Sequence, residues 1–320
     1  MGDGAESAAK RVGSTFAGKY RIVQLLRGGG IANVFLADHV TGRSEPPPFP
    51  SVEEGETELR RVVTPRRREI DAARGGPELA RAGRALRLAL KVLREKFRDD
   101  RKVVQQFERG VAAAGGVSHP NVVRTGGLER LADGLPYCTM ELLIGLDLAD
   151  MLAYGGRVDV GRAVKIAAAA AAGLSAAHAA NVGHLDVKPE NIFLVHQADG
   201  GELVKMLDFG LAAAAGDAVA SRAGTPEYMA PEQLRGAPAA AAMDVYALGV
   251  VLHEMLSGHA PTAPRWLAAD VPAGLSRVIH KATAHEPGER FGSMEELRRA
   301  LLEVAGEPAS APGRVGGVRG

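Results

Sequence analysis

Two hydrophobic patterns divide the chain into a first part rich in predicted strands and a second part rich in predicted helices. Residues 99–114 predict a helix with Val103, Val104 and Phe107 on one face. From Asp147 onward the pattern is helical, with glycine and proline as punctuation. Strands followed by helices predict an α+β protein of two lobes. The apolar runs with strand character in the first part are Tyr20–Leu26, Val34–Ala37, Leu86–Leu93, Val122–Leu128 and Pro136–Leu143.

Changes in composition divide the chain into four predicted segments. Residues 1–16 predict a flexible leader, 17–143 the first lobe and its connection to the second, 144–305 the second lobe, and 306–320 a disordered tail. The first lobe contains a linker-like insertion at about 44–84, which begins with Pro46-Pro47-Pro48-Phe49-Pro50. We expect a solvated loop there, and a proline-rich ligand for a partner protein stays open as the alternative.

Composition and charge narrow the function classes. Of the 320 residues, 46% are hydrophobic and 24% are charged, as in an average globular protein. The formal net charge of +1 does not indicate a protein that binds nucleic acid or a membrane surface. The single cysteine, Cys138, excludes an internal disulfide and fits a reducing compartment. Because Cys138 lies in an apolar run, we expect a buried thiol that fills the core rather than a reactive one.

No segment predicts a membrane span, which needs about 18 apolar residues without charge. The nearest candidate is the alanine-rich run Val164–Ala180, which contains Lys165, Ser175 and His178 and predicts a buried helix instead. The first residues are polar and lack the apolar stretch of a signal peptide. The expected location is therefore cytoplasmic.

Two short segments carry the residue types that phosphoryl transfer requires. In the loop 184–191, Asp186, Lys188 and Asn191 combine a carboxylate for a hydroxyl proton, an ammonium group for phosphate oxygens and an amide for a metal ion. About seventeen residues later, Asp208-Phe209-Gly210 follows the predicted strand Leu203–Leu207. A carboxylate at a strand end, with a glycine that lets the chain turn, is suited to chelating Mg²⁺ between phosphates.

Together these segments resemble the catalytic loop and the metal-binding motif of protein kinases, in order and with the usual gaps. The resemblance covers roughly Tyr20–Ala305 and is to the eukaryotic-like, bacterial Hanks-type, serine/threonine kinases. It implies a bilobal fold with a small antiparallel sheet and one helix in the first lobe and a larger, mainly helical second lobe. It also implies transfer of the γ-phosphoryl group of ATP to a protein serine or threonine hydroxyl, with Mg²⁺ as cofactor.

Site residues are carried over from the resemblance one position at a time. Asp186 matches the catalytic base and Lys188 the lysine that contacts phosphate, and this lysine implies serine/threonine specificity. Asn191 and Asp208 match the Mg²⁺ ligands. Met140 is similar to the gatekeeper, Glu141–Leu143 to the hinge that meets adenine, and Asp147 to the carboxylate at the ribose. The full set of implied nucleotide-binding residues is Gly28, Gly29, Gly30, Val34, Ala89, Lys91, Met140, Glu141, Leu143 and Asp147.

Supporting positions also match the family. The segment 224–232 resembles the one that docks a polypeptide substrate, and Thr225 within it would hydrogen-bond near Asp186 and Lys188. Glu232 would pair with Arg290 inside the second lobe. Asp244 would hold the backbone of the catalytic loop from a core helix.

Three positions depart from the family pattern. Arg27 stands where the glycine-rich loop begins with glycine, and we expect its side chain to point to solvent rather than to reach phosphates. Gly110 stands where a helix glutamate normally pairs with Lys91, and Glu108, two residues earlier, would face away. Leu185 replaces the arginine that binds a phosphorylated activation loop, so phosphorylation, for instance at Ser221, is not expected to be the main switch.

These departures leave three function hypotheses. The first is an active serine/threonine kinase, because Lys91, Asp186, Asn191 and Asp208 are all present. The second is a pseudokinase or weakly active scaffold that binds nucleotide or a partner protein, and Gly110 and Arg27 motivate it. The third is a phosphotransferase for small molecules.

Overall fold

The chain contains two compact units, and each of them is built from more than one segment. A computed structural model describes residues 11–40, 87–197, 199–209, 211–213, 216, 225–259 and 270–306. The first unit comprises residues 1–148 and 191–213, and the second comprises 149–190 and 214–320. The predicted insertion at 44–84 and the tail at 306–320 lie outside the described residues, apart from Gly306.

The described part of the first unit contains nine strands in two antiparallel sheets. A six-stranded sheet has the order β1-β2-β3-β4-β6-β5, and a three-stranded sheet has the order β7-β8-β9. The predicted strands of the first part are confirmed, with shifted ends. The strands are β1 (Thr15–Phe16), β2 (Tyr20–Gly28), β3 (Ala32–His39), β4 (Arg87–Leu93), β5 (Thr125–Arg130), β6 (Pro136–Met140), β7 (Gly145–Asp147), β8 (Ile192–His196) and β9 (Glu202–Met206).

The strand β9 explains why residues 191–213 belong to the first unit rather than to one continuous second lobe starting at 144. Met206 donates its N–H to the Asn121 carbonyl at 2.8 Å, and Val123 donates to the Met206 carbonyl at 3.0 Å. Residues 121–123 are thereby committed to β9. This commitment also explains why β5 starts at Thr125 and not at the predicted Val122.

The predicted leader ends in ordered structure. Thr15 and Phe16 pair with Arg21 and Tyr20 in β2, and Phe16 is buried. The Phe16 ring packs edge-on against Tyr137, with 5.1 Å between ring centroids. Residues 11–16 were therefore wrongly assigned to a flexible segment, because their one aromatic side chain joins the core of the sheet.

One helix, α1 (Arg101–Gly115), packs against β5 and β6. It begins where the Asp100 carboxylate accepts hydrogen bonds from the N–H groups of Lys102 and Val103. Its inward face carries Phe107, Gly110, Val111 and Ala114, with Val103 and Val104 at the edge of the same core, as predicted. Cys138, opposite the helix on β6, is fully buried, and burial raises the pKa of its thiol to about 12. The expected core role of this cysteine is confirmed.

The second unit is helical. Its central helix α3 (Val160–Ala179) packs against two later helices, α5 (Ala241–Ser257) and α7 (Met294–Gly306). By length and composition α3 could cross a membrane, with a mean hydropathy of 1.3, but 56% of it is buried inside the protein. This burial confirms the predicted core helix. The other helices are α2 (Leu148–Gly155), which starts at the boundary, α4 (Pro231–Leu234), α5 (Ala241–Ser257), α6 (Ala273–Ala282) and α7 (Met294–Gly306).

A buried carboxylate on α5 holds the loop 184–191. Asp244 is fully buried and accepts hydrogen bonds from the backbone N–H groups of His184 at 2.8 Å and Leu185 at 2.7 Å. The His178 ring lies 2.7 Å from the same carboxylate. Burial favours the protonated carboxyl, but these hydrogen bonds and the neighbouring histidines outweigh it and lower the pKa of Asp244. The expectation that Asp244 supports this loop is confirmed.

The hydrogen bonds of Asp244, here called the Asp244 clamp, matter because Leu185 has a conformation that bulky residues avoid. Its φ of 64° lies in the left-handed region, and its side chain is buried. Asp244 holds the N–H of Leu185, and Gln233 donates its side-chain amide to the Leu185 carbonyl at 2.8 Å. Polar groups on both sides of one residue thus stabilise a strained turn directly before Asp186.

A buried ion pair between Glu232 and Arg290 joins the N-terminus of α4 to the segment before α7. Arg290 donates to both oxygens of Glu232, at 2.6 and 2.8 Å, as the sequence predicted. The rest of the guanidinium donates to the carbonyls of Ala284, Ala242 and His285. The arginine side chain has 0% exposure, and all its donors point at acceptors, so the pair meets the conditions under which a buried ion pair is stable.

The first prediction concerns this pair. Glu232→Gln leaves the buried Arg290 charge without its carboxylate and should lower the free energy of unfolding by about 3–5 kcal/mol. Urea denaturation measures the change. The matched control is Glu295→Gln, because Glu295 forms a similar two-bond pair with Arg298 on the surface. The control should leave the denaturation midpoint unchanged, and equal effects of the two variants would contradict the prediction.

The second prediction concerns the Asp244 clamp. Asp244→Asn keeps the size of the side chain but replaces one acceptor oxygen by a donor, and should cost about 1–3 kcal/mol of unfolding free energy at neutral pH. A carboxylate whose pKa is lowered by folding stabilises the protein above its unfolded pKa of about 3.9, and that contribution is lost as the pH falls through the lower folded value. The difference between wild type and variant should therefore shrink below about pH 4 in urea denaturation series. A difference that is constant with pH would contradict this account.

Candidate active site

Lys91 occupies the centre of the six-stranded sheet. In β4 it stands opposite Val34 of β3 and Cys138 of β6. Its Nζ lies 2.6 Å from Oδ1 of Asp208 and 5.9 Å from the centroid of the Phe107 ring on α1. The Lys91 side chain is only 13% exposed, and its ammonium group has a carboxylate and an aromatic face as neighbours.

The helix α1 offers Lys91 no carboxylate at the position where the family has one. Gly110 stands there and is buried. Glu108, two residues earlier, forms an ion pair with Arg130 of β5, as expected from its orientation on the helix. The anionic partner of Lys91 in this structure is therefore Asp208, which comes from the segment after β9.

The candidate metal ligands Asn191 and Asp208 are brought together by the end of the β8–β9 hairpin. Ile192 stands opposite Met206, and beyond this pair Leu207 donates its N–H to the Asn191 carbonyl at 2.8 Å. Asp208 follows with a φ of 52°, a conformation that aspartate tolerates better than most residues. Gly210, the last residue of the motif, lies outside the described residues.

This pair of side chains fits a magnesium ion that is held jointly with phosphates. A carboxylate and an amide provide oxygen ligands, which Mg²⁺ prefers, and the ion usually keeps waters and substrate phosphates as its other ligands. The Asp208 side chain is 46% exposed and so has room for them. Among the described residues no cluster of three or more histidine, cysteine, aspartate or glutamate side chains forms a closed cage for a metal.

The glycine hairpin between β2 and β3 requires glycine at its centre. Gly29 donates its N–H to the Ala32 carbonyl at 2.9 Å, and a Cβ on Gly29 would lie 2.6 Å from that oxygen. Gly28 and Gly30 flank this turn, and Val34 follows in β3. The sequence predicts that the Arg27 side chain points to solvent, but in the structure it also approaches a carboxylate. Its guanidinium lies 4.0 Å from the Asp147 carboxylate.

The expected hinge follows β6. Met140 stands opposite Ala89 of β4 and is half-buried, as are Glu141 and Leu143. The Glu141 carboxylate accepts from the Arg124 N–H at 2.7 Å and from Lys205 at 2.5 Å. The Glu141 N–H also donates, to the Arg124 carbonyl at 3.0 Å, so the carbonyl of Glu141 is the group that we expect to meet a ligand.

Gly145 sets the path of the chain from the hinge to Asp147. A Cβ on Gly145 would lie 1.9 Å from the Leu194 carbonyl of β8, so only glycine allows β7 to pair there. Asp147 stands opposite Phe193 in the same ladder. The close approach of β7 to β8 thus places the candidate ribose-binding carboxylate.

In the second unit, one ammonium group links the candidate base to the predicted docking segment. Nζ of Lys188 lies 2.9 and 3.1 Å from the two Asp186 oxygens and 2.8 Å from the Thr225 hydroxyl. The expected position of Thr225 is thereby confirmed for its contact with Lys188. The segment that precedes Thr225, including Ser221, lies outside the described residues. Leu185 is buried, so the residue before Asp186 offers no group to a phosphate.

Four supporting side chains, two in each unit, were not predicted from the sequence. Phe107 contacts the Lys91 ammonium, Lys205 holds Glu141, and His178 and Gln233 support the loop 184–191. All four come from positions whose sequence pattern indicates only an ordinary helix or strand. Their partners lie at least 16 residues away in the chain, and no local spacing rule reports such contacts.

Comparison with known proteins agrees with this arrangement. Residues 79–298, more than two thirds of the chain, match the protein kinase domain family. The chain is 30% identical to the serine/threonine-protein kinase pkn3 of Myxococcus xanthus over 322 residues, covering 92% of this chain and 51% of the relative. It is 34% identical to the serine/threonine-protein kinase PknB of Mycobacterium tuberculosis over 270 residues, covering 74% of this chain and 42% of the relative.

The structural comparison extends over nearly the whole chain. The PknI kinase domain of Mycobacterium tuberculosis, solved as a double mutant, superposes with a TM-score of 0.65 at 26% identity, covering 92% of this chain and 98% of that one. By contrast, the chain spans about half or less of the length of the curated relatives that it matches. The match to the kinase domain and the shared fold lead to one conclusion: the chain belongs to the protein kinase family.

Proposed function

We propose that this chain is a serine/threonine protein kinase domain, which transfers the γ-phosphoryl group of ATP to hydroxyl groups of protein substrates. The observation that carries the proposal is the position of Lys188, whose ammonium group contacts both the Asp186 carboxylate and the Thr225 hydroxyl. This contact holds a base, a cation and the predicted docking segment in one arrangement, which a nucleotide-binding scaffold does not need.

Asp186 acts as the base. Its carboxylate orients the substrate hydroxyl and accepts its proton as the oxygen attacks phosphorus. Lys188, already within hydrogen-bond distance of Asp186, donates to the oxygens that gain negative charge during transfer. The strained turn at Leu185, held by Asp244 and Gln233, fixes the backbone directly before the base.

The first unit binds the nucleotide and the metal. Lys91 donates to phosphate oxygens, and Asn191 and Asp208 hold Mg²⁺ through their side-chain oxygens. When bound, magnesium neutralises charge on the phosphate oxygens. The Met140–Leu143 connection receives the adenine through its backbone. Because Lys91 takes its carboxylate from Asp208 and rests on Phe107, this chain positions the lysine without a helix glutamate.

Protein substrates and a cytoplasmic location belong to the same proposal. Curated relatives carry the name serine/threonine-protein kinase, and the segment that resembles their substrate-docking region ends in α4, held by the Glu232–Arg290 pair. ATP is abundant in the cytoplasm, where the single reduced cysteine is also stable. Among the described residues, one helix, α3, is long and apolar enough to cross a membrane, and it is occupied by packing within the second unit.

The third prediction tests the activity itself. Purified protein with Mg²⁺ and ATP labelled at the γ-phosphate should label a generic protein substrate on serine or threonine. Asp186→Asn should retain nucleotide binding and lower kcat by at least about 100-fold, because the base is lost. Asp208→Asn should abolish transfer, because a metal ligand is lost. Absence of transfer in the wild type, with nucleotide binding intact, would contradict the proposal and favour a binding scaffold.

The fourth prediction tests the unusual support of Lys91. Lys91→Met should abolish transfer, because the phosphates lose their cation. Glu108→Gln should leave kcat and KM for ATP unchanged, since the Glu108 carboxylate is paired with Arg130 and not with Lys91. Steady-state kinetics of the two variants decide the matter. If Glu108→Gln lowered kcat as strongly as Lys91→Met, Glu108 would supply the missing helix carboxylate during turnover and this account would be wrong.

A further inference from the structure

Arg27 lies on the same face of the sheet as Lys91. Leu25 stands opposite the buried Phe35, but a register shift after Leu25 places Arg27 opposite Val34 instead. Neighbouring residues of a strand point to opposite faces, so this bulge turns Arg27 away from the core face and onto the face of Val34. Val34 in turn stands opposite Lys91. Arg27 and Lys91 therefore occupy one cross-strand row, with their backbones about 10 Å apart across two strand spacings.

Each of these cations faces a carboxylate of the proposed nucleotide site. Lys91 is paired with Asp208, and Arg27 lies 4.0 Å from Asp147 at the end of β7. The second contact joins the glycine hairpin to the strand that follows the hinge. Asp147 is only 19% exposed, and Arg27 is 40% exposed, so the carboxylate is the less solvated member of the pair.

We propose that Arg27 is a latch on the nucleotide site, which competes with the ribose hydroxyl groups for the Asp147 carboxylate. This inference rests on the proposed function and on the role that the family resemblance implies for Asp147, which is to accept hydrogen bonds from the ribose. A hydrogen bond from a hydroxyl to Asp147 reaches full strength only when the guanidinium gives up its share of the carboxylate. The latch therefore weakens nucleotide binding and makes the affinity depend less on the ribose hydroxyls.

The size of the effect follows from the exposure of the pair. A partly exposed ion pair at 4.0 Å contributes little, so release of Asp147 from Arg27 should change the affinity for ATP by about two- to five-fold. The sign of the change separates the latch from the main alternative. If Arg27 left Asp147 to bind phosphate, as guanidinium groups readily do, its removal would weaken ATP binding rather than strengthen it.

The fifth prediction uses calorimetric titration of the intact protein with ATP and with 2′,3′-dideoxy-ATP, both in Mg²⁺. Arg27→Gln should tighten ATP binding two- to five-fold and leave binding of the dideoxy nucleotide nearly unchanged. The penalty for losing the ribose hydroxyls should therefore grow in this variant. In an Asp147→Asn background the same Arg27→Gln change should have no effect on either nucleotide, because the competing carboxylate is gone.

The matched control is Arg21→Gln. Arg21 lies in the same strand and pairs with Asp38, a carboxylate away from the proposed site, at 3.3 Å. This control loses the same charge and should bind both nucleotides as the wild type does. Weaker ATP binding by Arg27→Gln, or an equal gain for both nucleotides, would overturn the latch while leaving the kinase proposal intact. Absence of nucleotide binding in every protein would overturn the proposed function and the latch with it.

Discussion

The ion pair between Lys91 and Asp208 connects the central strand of the larger sheet to the segment that follows the smaller one. It gives a carboxylate partner to Lys91, whose mostly buried side chain makes its charge costly to leave unpaired, while Asp208 itself stays exposed. The pair also explains how the first unit accommodates Gly110. Without a carboxylate on α1, the ammonium is held by a carboxylate that is itself a candidate metal ligand and by the face of Phe107. Support and chemistry are therefore carried by the same residue, Asp208.

In the second unit a single buried carboxylate, Asp244, likewise supports the candidate base. Asp244 has no solvent contact, yet its ionised form is favoured because two backbone N–H groups and a histidine point at it. These bonds hold Leu185 in a left-handed conformation directly before Asp186. The family resemblance implies an arginine at position 185 that binds a phosphorylated activation loop. Leu185 is buried instead, so the conformation of this turn depends on contacts within the second unit.

Side-chain partners, more than residue identity, distinguish the candidate nucleotide site of this chain. Glu141 directs its carboxylate to Lys205 and to the N–H of Arg124, so its carbonyl rather than its carboxylate is the group expected to meet a ligand. Asp147 is approached by Arg27, whose position depends on a single bulge in β2. In each case a basic residue from a distant part of the chain contacts the carboxylate, which the sequence pattern did not predict.

The sequence by itself determined the strands of the first part, the core face of α1, the core role of Cys138 and the family. These features depend on local periodicity, and on motifs whose members lie within a few residues of each other, as in 184–191 and 208–210. The tertiary structure alone decided other partners: Asp208 and Phe107 for Lys91, Asp147 for Arg27, and Gln233 for Leu185. It also ordered Thr15 and Phe16 and assigned β8 and β9 to the first unit. Pairing of this kind is set by contacts between segments far apart in the chain, and no local pattern encodes which distant side chain arrives at a given position.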